Sequence, residues 1–255
     1  MQYHLDTIPV WEAMEWKMEC PLCGLEHKTE AEEIKRALGA SVMEPSVRIE
    51  FNQRGVCREH QPMLFHQQNR LGHALLMDSH AKEQLVKLEK LQKQADADSK
   101  GRTSLFSKGS SVDSILDVLH DMNEHCVVCE AIATHMARYH FTFLHLWKTN
   151  ADFQAAWKGS HGVCLPHSVA LLESAQKHLN LTQQNALAAE LLGFLTQHLS
   201  ADEQDLDWFT RKFDYRNQDA PWGNSKTALE RVVNRLRGWC IGDTSYPKRN
   251  NHTAP

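Results

Sequence analysis

Eight cysteine and histidine side chains occur in two copies of one pattern. Each copy begins with a CxxC pair, Cys20–Cys23 in the first and Cys126–Cys129 in the second. Each copy continues with a Gly-Val-Cys-x-x-His segment, Gly55–His60 or Gly162–His167, whose cysteine is separated from the CxxC pair by 33 or 34 residues. Because cysteine sulfur and histidine nitrogen are the usual ligands of structural zinc, the repeated spacing predicts two metal sites and an internal duplication.

We expect each copy to hold one Zn²⁺ ion with three cysteines and one histidine. The two expected ligand sets are Cys20, Cys23, Cys57 and His60, and Cys126, Cys129, Cys164 and His167. A CxxC turn brings two sulfurs close together, and positions i and i+3 of a helix place the Cys and His of CxxH on one face. The glycine two residues before the third cysteine suits a turn with positive φ or a close backbone approach.

Other chemistries use the same residue types. Disulfides within the CxxC pairs leave the CxxH segments unexplained, and a thioredoxin-type redox site needs a βαβ setting that this sequence does not predict. Covalent haem attachment needs CxxCH, whereas Gly24 and Glu130 follow the two pairs. An iron–sulfur cluster is the main alternative, because thiolates hold both clusters and zinc. Zinc is favoured because four protein donors complete its coordination without a further ligand.

Composition narrows the classes of protein to consider. The chain has 255 residues, of which 42% are hydrophobic, and a formal net charge of −4, which does not favour a dedicated nucleic-acid binder. No apolar run is long enough for a membrane span. The first residues, Met1–Lys17, lack the basic start and apolar core of a secretory signal. We therefore expect a cytoplasmic protein with reduced thiols.

The elements around the motifs are predicted to be helices. Apolar residues recur at helical spacing in Met63–Gln94 and Val112–Trp147, and no stretch shows sustained alternation of apolar and polar residues. The expected fold is all-α, a helical bundle built from two CxxC…CxxH units. We expect a first unit at residues 1–92, a flexible linker at 93–111, a second unit at 112–200 and a C-terminal aromatic and charged segment with a helix, packed on the bundle, at 201–245.

Two further groups of residues are candidates for function. His66, His73 and His80 recur every seven residues, so they form one stripe on a helix and predict either an additional metal or cofactor site or a polar stripe. The segment Trp208–Asn224 is dense in aromatic and charged residues, which predicts either a protein-binding surface or a segment that pairs its charges internally.

The motifs also resemble a known family. The CPLC, GVCREH and GVCLPH segments and the strings KFDYRN and PWGNS, at Lys212–Asn217 and Pro221–Ser225, are similar to an uncharacterised bacterial family of unknown function. The resemblance covers most of the chain and implies a cytosolic, helical, metal-binding protein. It implies no catalytic residue. Some members carry a label related to ABC transporters, which fits poorly with a chain that lacks a membrane span.

These observations lead to three hypotheses about function. The first is a non-enzymatic helical protein with two structural zinc sites, which acts as an interaction or regulatory module through Trp208–Asn224. The second is a redox protein whose Cys₃His sets hold iron–sulfur clusters. The third is an enzyme whose active site lies on the His66, His73 and His80 face. We assign no catalytic residue.

Overall fold

The structure is a computed structural model that describes residues 3–16, 18–100 and 111–242. Within these residues it is all-α, with no strand, which confirms the predicted fold class. No described helix is both long enough and apolar enough to cross a membrane. The α-helices are α1 (Tyr3–Glu15), α2 (Pro21–Ala37), α3 (Pro45–Arg54), α4 (His60–His66), α5 (Arg70–Ser99), α6 (Ser111–Glu124), α7 (Val127–Thr149), α8 (Ala151–Lys158), α9 (Leu165–His178), α10 (Leu181–Arg211) and α11 (Ala228–Arg237).

Among the described residues there are also three short 3₁₀ helices, at Ala40–Met43, Tyr215–Asn217 and Gly223–Thr227. Part of the expected linker is helical, because α5 continues to Ser99 through a stretch without glycine or proline that includes the good helix formers lysine, glutamine and alanine. Residues 101–110 of that linker lie outside the described residues, and so do residues 243–255.

The chain divides into two compact units. Unit 1 comprises Met1–Thr29 and His135–Pro255, and unit 2 comprises Glu30–Thr134. Helices α2 and α7 therefore each contribute residues to both units. Because each unit combines residues from both motif copies, the units do not follow the boundaries expected from the repeat.

The core of unit 1 is aromatic. The Trp157 side chain is fully buried, and its ring lies edge-on to Phe143 and Phe194, with centroid distances of 5.1 and 4.7 Å. The indole nitrogens of Trp147 and Trp157 both donate to one carboxylate oxygen of Glu190, at 2.9 Å each. The buried indole N–H groups are thus satisfied, as large aromatic residues in a core require.

Helices α9, α10 and α11 pack against one another in the same unit. Helix α10 begins with a capping box, in which Asn180 accepts from the Gln183 backbone and the Gln183 side chain accepts from the Asn180 backbone. Its buried face carries Leu187 and Leu191. Helix α10, with 31 residues, therefore contacts both of the other helices in this group.

Unit 2 has its own apolar cluster, and one cysteine of the repeated motifs lies within it. Its buried members are Ile34, Ala37, Leu38, Val42, Phe51, Leu64, Leu76, Cys126 and Val128. Helix α5 packs against α3 and α6. Since Cys126 is part of this cluster, the second CxxC segment is held by apolar packing as well as by its own turn.

Burial on α10 predicts a contrast between two leucines of the same helix. Leu187 is fully buried, whereas Leu192 is 60% exposed. We expect Leu187→Ala to lower the free energy of unfolding by about 2–5 kcal/mol, because it removes buried methyl groups and leaves a cavity. Leu192→Ala is the matched control and should change it by less than about 0.5 kcal/mol. Urea denaturation followed by circular dichroism measures both, and equal effects would contradict the packing described for α10.

Candidate metal centre

The structure brings all eight predicted ligands together in two groups of four. Site A consists of Cys20, Cys23, Cys164 and His167. Site B consists of Cys57, His60, Cys126 and Cys129. In each group one sulfur or nitrogen atom from every residue lies within 4.8 Å of the others.

The pairing expected from the sequence is therefore wrong. Each site combines the CxxC pair of one copy with the CxxH pair of the other copy, rather than the two pairs that are neighbours in the sequence. The sequence-based prediction paired the CxxC and CxxH segments that are closest along the chain. Tertiary packing instead brings each CxxC segment next to the CxxH segment of the other copy. Site A lies entirely in unit 1 and site B entirely in unit 2.

Site A is fully buried, and its donor atoms are closely spaced. The Nδ1 atom of His167 lies 3.6, 3.4 and 3.2 Å from the sulfurs of Cys20, Cys23 and Cys164. The sulfurs of Cys23 and Cys164 are 3.6 Å apart. Site A thus presents three sulfurs and one nitrogen to a small central volume.

Site B has nearly the same dimensions but is partly exposed. The Nδ1 atom of His60 lies 3.1, 3.5 and 3.4 Å from the sulfurs of Cys57, Cys126 and Cys129. The sulfurs of Cys57 and Cys129 are 3.7 Å apart. Cys129 is exposed and Cys57 is partly exposed, beside a cavity of about 370 Å³ that Cys57 helps to line. Site B is therefore accessible to solvent, whereas all four ligands of site A are buried.

The two CxxC segments adopt the same local conformation. The first cysteine of each pair comes directly before a helix, Cys20 before α2 and Cys126 before α7. The backbone N–H of the second cysteine donates to the sulfur of the first at 3.4 Å in both copies, from Cys23 and from Cys129. A helix N-terminus and an N–H donor both stabilise negative charge on sulfur, so these positions favour thiolates.

The two GVC segments also share one backbone geometry. Gly55 and Gly162 have φ values of 68° and 72°, which confirms that the turn needs a positive φ. A Cβ atom at Gly162 would lie 2.7 Å from Cβ of Phe194, so the chain also passes too close to α10 for any side chain there. These glycines direct the following cysteine and the histidine three residues later toward the CxxC pair.

A carboxylate lies near the Nε2 atom of each histidine ligand, the ring nitrogen that faces away from the sulfurs. His60 Nε2 lies 3.1 Å from Glu30, and His167 Nε2 lies 3.6 Å from Glu26. With the proton on Nε2, the Nδ1 lone pair faces the sulfurs, which is the tautomer that binds a metal. Neither glutamate was among the residues predicted from the sequence. Their signal was a pair of acidic residues four positions apart on the helix that follows the first CxxC.

The C-terminal part of the chain supports site A. The backbone N–H of Trp239 donates to Cys23 Sγ at 3.3 Å, and the Trp239 carbonyl oxygen accepts from His27 Nε2 at 2.7 Å. Trp239 could not be predicted from the sequence, because a backbone N–H donor has no characteristic residue type. Its position is fixed by tertiary contacts of the segment after α11.

A buried ion network holds this same segment near site A. Arg235 is almost completely buried and pairs with Asp202 of α10 and with Glu19, the residue before Cys20. Arg231 also donates to Asp202, at 2.7 Å. Because two guanidinium groups share one buried carboxylate, the charges in the network are satisfied internally.

The crowded sulfurs and histidines shift each other's proton affinity. At site B, hydrogen bonds to Cys126 and Glu30 raise the pKa of His60 to about 10. Burial opposes ionisation of Cys126, but hydrogen bonds from His60 and from backbone N–H groups outweigh it and lower its pKa to about 6. Burial and the neighbouring sulfur of Cys126 raise the pKa of Cys129 to about 12. The negative charge of the Cys126 thiolate is thus balanced by the positive charge of the His60 imidazolium, while the Cys129 thiol keeps its proton.

Site A shows the same division of charge. Hydrogen bonds in which its thiol donates to Cys164 and Cys20 raise the pKa of Cys23. Burial opposes ionisation of Cys20, but hydrogen bonds from Cys164 and Cys23 and the charge of His167 outweigh it and lower its pKa. Burial alone would lower the pKa of His167, but attraction to Cys20 raises it. A divalent cation in the centre would allow all three sulfurs to ionise together.

The donor spacing fits a tetrahedral ion. Zinc–sulfur and zinc–nitrogen bonds of about 2.3 and 2.0–2.1 Å place neighbouring sulfurs about 3.8 Å apart, and sulfur about 3.5 Å from nitrogen. The observed separations of 3.6 and 3.7 Å between sulfurs, and 3.1–3.6 Å between sulfur and nitrogen, match these values. They are much longer than a disulfide bond, and the cysteines are free thiols.

The structure does not bring His66, His73 and His80 together as ligands. His66 and His80 donate to backbone carbonyl oxygens at 2.6 and 2.8 Å, and His73 contacts the side-chain oxygen of Gln61 at 3.0 Å. Sites A and B are the groups with metal-ligand geometry among the described residues, and neither includes these histidines. The seven-residue stripe is therefore a set of separate polar contacts, because each ring meets a different acceptor.

The Trp208–Asn224 segment is tied together by its own polar contacts. Lys212 is buried, and its ammonium group donates to three backbone carbonyls of this segment. Trp208 Nε1 donates to the carbonyl oxygen of Pro221 at 3.0 Å. Phe213 and Tyr215 are 74% and 78% exposed. The segment is thus internally ordered and presents two aromatic side chains at the surface.

Comparison with known proteins identifies the family. The chain matches a family of unknown function, DUF6062, over residues 1–243. The chain belongs to this family. None of the curated proteins and none of the solved structures matches it. Membership in DUF6062 confirms the resemblance to an uncharacterised family. Because the function of the family is unknown, membership does not indicate an activity for this chain.

Substitution of Gly162 tests the turn of the second GVC segment, and a second glycine provides a control that should change stability in the opposite direction. We expect Gly162→Ala to destabilise the protein by at least about 1–2 kcal/mol, because the left-handed conformation is unfavourable for alanine, and its Cβ would overlap Phe194. Gly193→Ala on α10 meets no atom within 4 Å and should stabilise by about 0.5–1 kcal/mol. Thermal unfolding compares the two, and a Gly162→Ala protein as stable as the native chain would contradict the turn described here.

Proposed function

We propose that this DUF6062 protein is a zinc protein with two structural Cys₃His sites. The observation that carries the proposal is the arrangement of three sulfurs and one imidazole nitrogen within 4.8 Å of one another, twice in one chain. The carboxylates behind His60 and His167 support it, since metal-bound histidines commonly donate their other ring proton to such a group.

The same donor sets are the basis of the alternative, an iron–sulfur protein. Several irons share the ligands of a cluster, so the thiolates are spread around it, whereas one ion draws all four donors to a common centre. The sulfur separations of 3.6 and 3.7 Å favour a single ion. Tetrahedral sulfur-rich sites bind zinc or iron, and elemental analysis distinguishes the two metals.

A structural role for the metal follows if four protein donors fill all of its coordination positions. Four protein donors leave no position on zinc for a substrate or an activated water. Ligands as far apart in sequence as Cys23 and Cys164 meet at one site, so metal binding and folding are coupled. We propose that the folded protein acts in the cytoplasm as an interaction or regulatory module, with the exposed aromatic residues of Trp208–Asn224 as a surface for a protein partner.

We further propose that the two motif copies arose by internal duplication. The shared spacing is supported by shared geometry, in the positive φ at Gly55 and Gly162 and in the N–H donors at Cys23 and Cys129. The crossed pairing would then mean that the two copies complete each other's sites.

Metal content and colour test the proposal directly. Protein purified without oxygen should contain about two zinc ions per chain by elemental analysis and show no visible absorbance, because Zn²⁺ has a filled d shell. Iron together with acid-labile sulfide and a brown colour would establish the cluster alternative. Protein without metal, still folded and unable to take up zinc, would refute the metal-binding proposal.

The crossed pairing predicts the metal content of two double variants. Cys20→Ser with Cys164→Ser removes two ligands from site A alone, so about one zinc per chain should remain. Cys20→Ser with Cys57→Ser damages both sites, so almost none should remain after dialysis against a chelator. Both variants lose the same number and type of side chains, which makes each the control for the other. The reverse order of metal contents would support the pairing of sequence neighbours instead.

A further inference from the structure

Two pairs of cysteines occupy equivalent positions in sites A and B but differ in exposure. Each pair combines the second cysteine of a CxxC segment with the cysteine of the GVC segment in the same site. The sulfurs of Cys23 and Cys164 in site A are 3.6 Å apart, and both side chains are 1% exposed. The sulfurs of Cys57 and Cys129 in site B are 3.7 Å apart, but Cys129 is exposed and Cys57 is partly exposed. Molecules in solution can therefore reach the pair in site B and not the pair in site A.

Open space adjoins the exposed pair of site B. Cys57 lines the cavity of about 370 Å³, so a small hydroperoxide has room beside its sulfur. The other two ligands of the site are shielded, because Cys126 and His60 are 3% and 6% exposed. A reagent that enters site B from solvent thus meets Cys57 and Cys129.

Contacts that involve no donor atom of the site hold the two segments together. The backbone N–H of Val127 donates to the carbonyl oxygen of Gly55 at 3.1 Å. The Arg54 guanidinium pairs with the carboxylate of Glu130. Both contacts link the first GVC segment to the second CxxC segment, so these segments remain side by side when a sulfur of site B is modified.

We propose that Cys129 is a site of reversible oxidation, at which a hydroperoxide drives formation of a disulfide with Cys57 and release of the metal from site B. The inference rests on the proposed function, since it takes Zn²⁺ as the ion of both sites. Cysteines that bind zinc are thiolates, and thiolates that solvent can reach are the form of cysteine that peroxides oxidise. The buried sulfurs of site A are protected from the same reagent, although their spacing is nearly the same.

The reaction balances with one molecule of hydrogen peroxide. The Cys129 thiolate attacks one peroxide oxygen, the O–O bond breaks, and a sulfenic acid and a hydroxide ion form. The Cys57 thiolate then attacks the Cys129 sulfur, an S–S bond forms, and the S–O bond breaks as a second hydroxide ion leaves. Two thiolates are thereby oxidised to one disulfide, while the peroxide is reduced to two hydroxide ions.

Release of the ion follows from the donors that remain. The disulfide removes two donors from site B and leaves Cys126 and His60, whereas structural zinc is held by four donors. Site A keeps its full donor set. Oxidation therefore changes the metal content of unit 2 alone, which gives the proposed regulatory role a chemical input.

The first test follows zinc release from the full-length protein. Elemental analysis before treatment should give about two zinc ions per chain. Hydrogen peroxide should then release about one of them to a colorimetric chelator, and the second should leave at least about tenfold more slowly because its ligands are buried. A parallel sample without peroxide measures removal by the chelator alone. Equal rates for both ions, or equal rates with and without peroxide, would overturn the inference, whereas a chain without zinc at the start would refute the proposed function.

Two double variants identify the site that loses its ion. Cys20→Ser with Cys164→Ser leaves the ligands of site B intact, and its remaining zinc should leave at the rapid rate of the native chain. Cys57→Ser with Cys129→Ser leaves the ligands of site A intact, and its remaining zinc should leave slowly. The opposite order of rates would contradict the assignment to site B. Circular dichroism shows whether each variant is folded, and if one is not, the disulfide map of the native chain decides.

Peptide mapping of the oxidised native chain locates the disulfide. Trypsin separates Cys57, on the peptide Gly55–Arg58, from the other two cysteines of site B, on the peptide of residues 109–138. We expect these two peptides to be joined, with fragmentation placing the bond at Cys129. A disulfide within the longer peptide, or a bond to any other cysteine, would refute the proposed pair.

A thiol reductant and a cysteine outside the sites provide the controls. Dithiothreitol followed by zinc should restore about two zinc ions per chain, because a disulfide is reducible and a sulfinic acid is not. Failure to restore them would show irreversible oxidation and overturn the inference. Cys240 is exposed and belongs to neither site, so Cys240→Ser should release zinc at the native rate. Loss of the rapid release in this variant would show that Cys240 takes part and would exclude the mechanism proposed here.

Discussion

The convergence of donors from distant parts of the chain is the constraint on which the rest of the structure depends. Site A joins positions 141 residues apart, and site B joins positions 72 residues apart. Closing loops of this length costs conformational entropy, and the cost grows only slowly with length. A single ion held by four donors can offset it, since zinc sites in small domains contribute folding free energy directly. Neither motif copy contains a complete set of donors for either site.

The surroundings of the two sites explain how the donors stay in place. The CxxC turns begin helices, the GVC turns depend on glycines with positive φ, and Glu30 and Glu26 face the histidine ligands. Site A has additional support from the C-terminal segment, through the Trp239 backbone and the ion network around Arg235. Site B has less cover, because Cys129 is exposed and a cavity adjoins Cys57. Similar donor geometry thus occurs in two different environments.

The proposed role of the metal and the proposed role of the surface are physically separate. Saturated Cys₃His sites stabilise a fold but offer no open position for chemistry. The exposed aromatic residues of Trp208–Asn224 instead lie where other molecules can reach them. A scaffold held by metal that presents such a surface is consistent with an interaction or regulatory module, and both proposals lead to measurements on the intact chain.

The sequence alone determined the fold class and the identity of the donors. Helical periodicity without alternation predicted an all-α chain, and the repeated CxxC and CxxH spacing identified all eight residues that the structure gathers into sites A and B. Residue type and local spacing carry this information because a CxxC turn, a glycine with positive φ and an i, i+3 pair are local geometries. The same reasoning predicted the turn at Gly55 and Gly162 correctly.

Only the tertiary structure decided which donors share a site. Sequence distance favoured Cys23 with Cys57, but Cys23 meets Cys164, because the packing of helices and not loop length sets which motif ends converge. The stripe of His66, His73 and His80 failed for the same reason, since a shared helical face does not decide what each ring contacts. Trp239 acts through a backbone N–H, which every residue except proline possesses, so no residue type could have indicated it. Local patterns specify which groups can bind, and long-range packing specifies which of them meet.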